Sequence, residues 1–157
     1  MIHAHINIGS NLGNREDNIK RAVATLQQLA FPSSFKLSDT FSSTPWGYSS
    51  PNDFLNVGIS FDCNLSPEEL LGHTQSIEQS ISNTPHRNSD GSYADRAIDI
   101  DIIACAKLKE DSSQFELIEI NTEKLTLPHP RALLRDFVTV PLRQIDPQLY
   151  NLLHPKH

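Results

Sequence analysis

The sequence predicts an α+β fold: a ferredoxin-like βαββαβ sandwich, in which an antiparallel sheet carries helices on one face, followed by an elaborated C-terminal part. Apolar and polar residues alternate with the period of β-strands in four segments, 2–8, 35–41, 54–63 and 97–103. Apolar residues recur at helical spacing in two segments between them, 14–30 and 66–81. The order strand, helix, strand, strand, helix, strand is that of this sandwich. We expect one domain over residues 1–157.

The first strand and first helix have clear signals. In segment 2–8 the even positions are apolar, whereas the odd positions hold His3, His5 and Asn7. A glycine-bounded turn, GSNLG, follows. Asn14, with an aspartate three residues later, is typical of a helix N-cap, and Pro32 ends the helix.

The second and third strands are separated by a long polar loop. Phe35, Leu37 and Phe41 alternate through the second strand, and residues 42–53 are rich in Ser, Thr, Pro and Gly. Phe54 and Asn56 then project from one side of the third strand, opposite its apolar face. The loop is long enough to have a functional role.

The second helix begins with a capping box. Ser66 is the predicted N-cap, Pro67 occupies the first helical position, and Glu69 completes the box. A polar loop at 83–95 then leads to the last strand of the sandwich, AIDIDII. Beyond it we expect a strand at 115–120, a short helical turn near residue 133 and an apolar segment at 137–142.

Composition limits the function classes. The net charge of −6 argues against general binding to nucleic acid or to a membrane surface, because both need a basic patch. No apolar stretch approaches the roughly 20 residues of a membrane helix. Cys63 and Cys105 lie in apolar runs and match no metal-ligand spacing, which favours reduced core residues and a cytoplasmic protein.

The polar face of the sheet is where chemistry is expected. If the apolar sides of the strands meet the helices, the opposite face is open and carries six polar or aromatic side chains: His5, Asn7, Phe54, Asn56, Asp99 and Asp101. Two aspartates two residues apart on a strand point the same way and can converge on Mg²⁺, which suits phosphoryl transfer. The alternative is the exposed polar face of an edge strand.

Other residues fit a phosphate and a flat ring. Arg96 lies close enough to the aspartates to hold a phosphate, and His129, Arg131 and Arg135 offer further donors, although each also fits an ordinary surface position. Phe54 can stack on a flat heterocycle, and Asn56 can form hydrogen bonds with the same ring. The alternative is that they are an ordinary aromatic residue of a strand and its polar neighbour.

Five motifs in order resemble one family, 6-hydroxymethyl-7,8-dihydropterin pyrophosphokinase. They are IGSNLG, TPWG followed by DFLN, LSPEELL, RAIDIDII, and LTLPHPR followed by FVTVPL. The family transfers pyrophosphate from ATP to a pterin alcohol in folate biosynthesis. The resemblance extends from the first strand to about Pro147.

The resemblance implies a role for each matching residue. Asp99 and Asp101 match the ligands of two Mg²⁺ ions and, with Arg96 and His129, the catalytic residues. The positions that match the pterin site are Ser43, Thr44, Trp46, Phe54, Asn56 and Phe137. The positions that match the ATP site are Gln75, Glu78, Arg96, Ile98, His129 and Arg135.

The implied reaction is in-line attack by the pterin hydroxymethyl oxygen on the β-phosphorus of ATP, with AMP leaving. The loops 42–53 and 83–95 would close over the site. We expect a monomer whose partners are its two small-molecule substrates. Alternatives are a paralogue that binds pterin or nucleotide without efficient transfer, and a different metal-dependent nucleotidyltransferase.

The second of these loops departs from the family. Ser82 and Asn83 replace a glycine and a basic residue, and Tyr93, Ala94 and Asp95 replace Trp-Gly-Pro before the arginine. The loop thus loses a cation, which His86 or Arg87 would have to replace, and gains an acid. The expected consequence is slower turnover or weaker closure.

Overall fold

The computed structural model describes residues 1–45, 50–82, 95–108 and 114–154. Its strands are β1 (Ile2–Ser10), β2 (Lys36–Leu37), β3 (Phe41–Ser43), β4 (Phe54–Cys63), β5 (Asp99–Leu108), β6 (Phe115–Leu117), β7 (Ile120–Asn121) and β8 (Thr126–Leu127). Its helices are α1 (Arg15–Gln27), α2 (Pro67–Ile81), α3 (Asp136–Ile145) and α4 (Pro147–Leu153).

The main sheet is antiparallel and has β1 at its centre. The strand order is β2-β4-β1-β5-β6, with β3 also paired to β4, and β7 and β8 form a separate small ribbon. The α+β class and the antiparallel sheet are confirmed. None of the helices in the described ranges is long and apolar enough to cross a membrane.

Both helix starts agree with their signals. The Asn14 side chain accepts the N–H of Asp17 at the start of α1. At the start of α2, Ser66 Oγ accepts the N–H of Glu69 and the Glu69 carboxylate accepts the N–H of Ser66, which is the predicted capping box.

The second strand was predicted as one segment, 35–41, and this was wrong. The structure has β2 and β3 with a break between them at Ser38, whose hydroxyl accepts the N–H of Gly58 at 2.8 Å. A side-chain oxygen thus takes the place of a backbone carbonyl, and the ladder is interrupted. The predicted strand at 115–120 is likewise divided between β6 and β7.

One face of the sheet forms the main core with α1 and α2. The buried apolar side chains of the strands and of these two helices belong to one cluster, which includes Ile6, Ile59, Phe61, Leu26 and Leu70. Both cysteines are free and buried in the same cluster, as predicted.

A β-bulge in β5 changes which residues face this core. The register against β1 shifts between His5 and Ile6. Up to Ile103 the side chains alternate, with Ile98, Ile100 and Ile102 in the main core and Ile103 on the other face. Because of the bulge, Ala104 also lies on the other face and Cys105 returns to the main core.

The expectation of an open polar face was wrong for half of it. His5 is fully buried, and Asn7 and Asn56 are nearly so. Helix α3 packs on β3 and β4, and its Pro141 lies so close to Gly58 that a Cβ there would be 3.0 Å away. The predicted apolar segment 137–142 belongs to this helix, so helices cover both faces of the sheet.

Candidate active site

Two rows of residues cross the central strands on the polar face, at the edge of the part that α3 covers. Each row takes one residue from β4, one from β1 and one from β5: Asn56, Gly9 and Asp99 in the first row, and Gly58, Asn7 and Asp101 in the second. Directly opposite residues in antiparallel strands have Cβ atoms about 4.5–5.5 Å apart. The register therefore concentrates two carboxylates and two amides in a small area.

Asp99 and Asp101 are partly buried, and their negative charges repel each other. Arg96 Nη1 donates to Asp99 Oδ2 at 2.8 Å, and these side chains are only 15% and 22% exposed. Burial and the neighbouring charge of Asp99 raise the pKa of Asp101 to about 8, although Arg96 opposes the shift. A divalent cation between the carboxylates would relieve their repulsion.

The donor set fits magnesium held jointly with a phosphate ligand. Mg²⁺ is commonly bound by one or two carboxylates together with substrate phosphates and water. Within the described ranges, no group of three or more His, Cys, Asp or Glu side chains is arranged to hold a metal by itself. Asp99 and Asp101 would therefore supply part of a coordination shell that a polyphosphate completes.

Glu78 supports the strand that carries these acids. Its Oε2 accepts the N–H of Ile100 at 2.9 Å, in the part of β5 that β6 does not pair with. Burial raises the pKa of Glu78 to about 7, with the charge of Asp99 contributing, while the hydrogen bond from Ile100 opposes the shift. Glu78 thus ties α2 to β5 directly behind the carboxylate pair.

Asn56 is held rigidly with its carbonyl oxygen over β1. Its Nδ2 donates to the backbone oxygen of Phe41 at 3.0 Å and to Ser43 Oγ at 2.9 Å. Its Oδ1 lies 2.9 Å from the position that a Cβ on Gly9 would take. The amide orientation is therefore fixed by β3, and Oδ1 remains as an acceptor beside Phe54.

The segment before α3 brings a histidine and a guanidinium to the same place. His129 Nδ1 accepts the N–H of Arg131 at 3.2 Å, so a neutral ring carries its proton on Nε2. Burial and the charge of Arg135 lower the pKa of His129. The Arg135 guanidinium lies 5.6 Å from the centre of the Phe137 ring. A neutral donor and a cation thus face the acids.

These groups line one cleft of about 360 Å³. Nine of the predicted site residues line it: Thr44, Phe54, Asn56, Arg96, Asp99, Asp101, His129, Arg135 and Phe137. Two lie behind it: Ser43 contacts Asn56, and Glu78 contacts β5. Gln75 is exposed on α2, and the Ile98 side chain is fully buried in the main core, so any ligand contact by Ile98 is through its backbone.

Four further residues that match no site position of the family line the cleft: Asn7, Gly9, Pro130 and Arg131. Of these, Arg131 was named in the sequence as a possible phosphate donor, whereas Gly9 and Pro130 were not named. Asn7 was placed on the correct face, and its Oδ1 has no hydrogen-bond partner in the described part of the chain. Gly9 had a signal that could have identified it, since a glycine inside a strand marks close approach of another group.

Several predictions lie outside the described residues. They are the pterin contact Trp46, the replacement cations His86 and Arg87, and the departures at Asn83, Tyr93 and Ala94. Asp95 is described, and its carboxylate accepts from Asn11 and Asn52.

The side chains that line the cleft suit one class of protein, the enzymes that transfer phosphoryl groups with the help of a divalent cation. Residues 5–147 match the model of the 7,8-dihydro-6-hydroxymethylpterin-pyrophosphokinase family, and the chain belongs to that family. The resemblance in its five motifs is thereby confirmed.

Relatives from distant bacteria agree with this assignment. The chain is 34% identical over 150 residues to the 2-amino-4-hydroxy-6-hydroxymethyldihydropteridine pyrophosphokinase of Porphyromonas gingivalis, covering 96% of this chain and 95% of that protein. The Bacillus subtilis protein of the same name is 36% identical over 93% of this chain and 79% of its own length. That of Aquifex aeolicus is 32% identical over 99% and 85%, respectively.

Proposed function

We propose that this protein transfers pyrophosphate from ATP to the hydroxymethyl group of 6-hydroxymethyl-7,8-dihydropterin, giving the pterin diphosphate and AMP in folate biosynthesis. Family membership supports the reaction. The observation that carries the proposal for the site is that Asp99, Asp101 and Arg96 share one cleft with Phe54 and Asn56. The cleft thus holds groups suited to a phosphate next to groups suited to a flat ring.

The pterin half of the cleft is formed by β3, β4 and the start of α3. Phe54 and Phe137 offer aromatic faces for a flat ring, and Asn56 Oδ1 offers an acceptor for ring N–H or amino groups. Ser43 holds the Asn56 amide, and backbone groups of residues 43–46 would complete the pterin hydrogen bonds. Specificity for a pterin would come from this fixed acceptor.

The nucleotide half is formed by β5, the segment 129–135 and α2. Asp99 and Asp101 would hold two Mg²⁺ ions together with the phosphates, which lowers the charge on ATP and polarises the β-phosphorus. Arg96, Arg135 and the Nε2–H of His129 would stabilise phosphate oxygens. In this proposal Gln75, Glu78 and Ile98 border the nucleotide.

The reaction forms one bond and breaks one. The hydroxymethyl oxygen attacks the β-phosphorus in line, the bond from that phosphorus to the α,β-bridging oxygen breaks, and AMP leaves with the bridging oxygen. The hydroxyl proton passes to solvent or to a phosphate oxygen. The side chains contribute by orienting both substrates and by stabilising charge on the transferred group.

We further propose a ferredoxin-like arrangement for the sheet and for α1 and α2. The strand order β2-β4-β1-β5 with antiparallel neighbours supports it. We also propose a single catalytic domain over residues 1–157 that acts as a monomer in the cytoplasm and binds neither nucleic acid nor membrane. The two free, buried cysteines support the cytoplasm, and the net charge of −6 argues against binding to nucleic acid or membrane.

The test is to incubate the protein with ATP, Mg²⁺ and the pterin alcohol and to separate the nucleotides. Equimolar AMP and pterin diphosphate, abolished by a chelator, is the expected result. ADP in place of AMP would reject pyrophosphate transfer. Pterin binding without AMP would indicate a binding paralogue, and AMP formed only with another acceptor would indicate a different transferase.

A further inference from the structure

The carboxylate of Asp95 collects hydrogen bonds from two distant segments of the chain. Asn11 Nδ2 donates to Oδ1 at 2.9 Å, while Ser50 Oγ and Asn52 Nδ2 donate to Oδ2 at 3.1 and 2.6 Å. Asn11 directly follows β1, whereas Ser50 and Asn52 lie in the segment that leads into β4. The single acid that this chain has gained before Arg96 therefore connects three segments.

Asn11 is also hydrogen-bonded to the backbone of Arg96. Its Oδ1 accepts the N–H of Arg96 at 2.7 Å, and its backbone N–H donates to the Arg96 carbonyl at 3.0 Å. With Oδ1 committed to Arg96, the Asn11 amide can present only Nδ2 to Asp95. The orientation of Asn11 is thus fixed from both sides, and with it the backbone from which the Arg96 guanidinium reaches Asp99.

The other side of the connection concerns the strand that carries Phe54 and Asn56. Asn11 Nδ2 also donates to the Asn52 carbonyl at 3.1 Å. The segment leading into β4 is therefore held to Asp95 through two side chains and to Asn11 through its backbone. The carboxylate of Asp95 thus connects the pterin half of the cleft to the nucleotide half.

We propose that Asp95 is a positioning residue, which sets Arg96 against Asp99 and fixes the approach of β4 by holding Asn11, Ser50 and Asn52. This inference rests on the proposed function for its kinetic consequences. A side chain without hydrogen to donate is suited to the position, since two amide N–H groups and a hydroxyl converge there. Asp95 itself touches no substrate in this proposal.

The test compares three single variants. Asp95→Ala removes every acceptor and is expected to lower kcat/KM for ATP about tenfold, since hydrogen bonds to a charged group are lost. Asp95→Asn keeps an acceptor for Asn11, and its own amide can donate to Ser50 Oγ and to a reoriented Asn52, so it should recover most of that loss. Asp53→Asn, which removes an exposed acid from the same segment, should behave as wild type.

Binding is measured beside turnover. Calorimetry with Mg²⁺ and α,β-methylene ATP, which cannot transfer pyrophosphate, should show the same order of affinity: wild type and Asp53→Asn above Asp95→Asn, and that above Asp95→Ala. Thermal unfolding shows whether each variant is folded. If Asp95→Ala is unfolded, the role of Asp95 is decided by Asp95→Asn alone. This variant should then bind the nucleotide more weakly than wild type does, and Asp53→Asn should not.

The outcomes separate the two proposals. Wild-type kinetics and nucleotide affinity in the Asp95 variants, with AMP still formed, would overturn the positioning role and leave the function intact. An Asp95→Asn variant as impaired as a folded Asp95→Ala would overturn the hydrogen-bond argument. A wild-type protein that forms no AMP would overturn the proposed function, while the affinity series would still decide the role of Asp95.

Discussion

Gly9→Ala should weaken pterin binding while leaving the protein folded. Gly9 lies opposite Asn56 in the first row of the cleft. An alanine Cβ would lie 2.9 Å from Asn56 Oδ1 and 3.3 Å from Phe54 Cδ1, against the 3.4 Å at which ordinary contact begins. The acceptor oxygen would have to move by about 0.5 Å, the difference between 2.9 and 3.4 Å.

Asn56 has little freedom to make that movement. It is 2% exposed, and its Nδ2 is bonded to both Phe41 and Ser43. Overpacking at such a site typically costs about 1–3 kcal/mol of folding stability. Misplacing this proposed acceptor for the pterin should cost about one hydrogen bond, which corresponds to a roughly tenfold weaker Kd.

The assay is titration of the pterin alcohol by calorimetry, with the free energy of unfolding measured in denaturant. The matched control is Gly72→Ala, at a helical position where an added Cβ meets nothing within 4 Å. It should gain about 0.5–1 kcal/mol in stability and keep wild-type affinity. A folded Gly9→Ala variant with wild-type pterin affinity, or equal losses in both variants, would refute the assignment of Asn56.

Three further predictions address the metal site, the far end of the sheet and a helix cap. Asp99→Ala and Asp101→Ala should each nearly abolish AMP formation while the circular dichroism spectrum stays native; near-normal turnover in both would reject the two-carboxylate site. His3 is hydrogen-bonded to two carboxylates, one of them that of Asp146. Burial lowers the pKa of His3, but the two carboxylates raise it further, so that the pKa lies above 6.5. Protonated His3 therefore stabilises the fold fully below pH 6.5, and this stabilisation is lost as the pH rises through the raised pKa. Denaturant unfolding at increasing pH should therefore show a loss of stability in wild type that His3→Gln lacks, and parallel curves would contradict this. Ser66→Ala should cost about 1 kcal/mol of unfolding free energy through loss of the capping box, without changing turnover.

Local patterns predicted the centre of the site because period two is preserved there. Asp99 and Asp101 alternate with buried isoleucines, and Phe54 and Asn56 alternate with the apolar face of β4, so the sequence alone placed all four on one side. Their convergence also needed the antiparallel pairing of β4 and β5 with β1. The element order predicted an antiparallel sheet, but the register is known only from the structure. This is why alternation alone could name the centre of the cleft, whereas Thr44 and Phe137 were named only through the family resemblance.

The bulge in β5 had no comparable signal. Simple alternation would put Cys105 on the polar face, yet it lies in the main core because of the register shift opposite His5. The residues around it, 102–106, are apolar on both sides of the strand, so either register satisfies the hydrophobic pattern. Only the pairing with β1 distinguishes them.

The packing of α3 on the polar face of the sheet was not predicted, again because the sequence has no local signal for it. Pro141 stands inside α3, and a proline in a helix interior removes a backbone donor, so the apolar run around it gave no helix signal. The bond that holds the end of this helix, His3 Nε2 to Asp146 Oδ2 at 2.6 Å, joins residues 143 positions apart. No local period can reveal such a contact.

That distant contact bears on the cleft itself. Asp146 directly follows α3, accepts a hydrogen bond from Ser60 Oγ at 2.7 Å and is hydrogen-bonded to His3. In the middle of the helix, Pro141 packs against Gly58. The same helix begins next to Arg135 and carries Phe137 into the cleft. A ten-residue helix held at its end and middle has little freedom at its first turn. The buried polar network therefore fixes the aromatic wall of the cleft from the far end of the sheet, so its loss should disturb ring binding before it disturbs the carboxylate pair on β5.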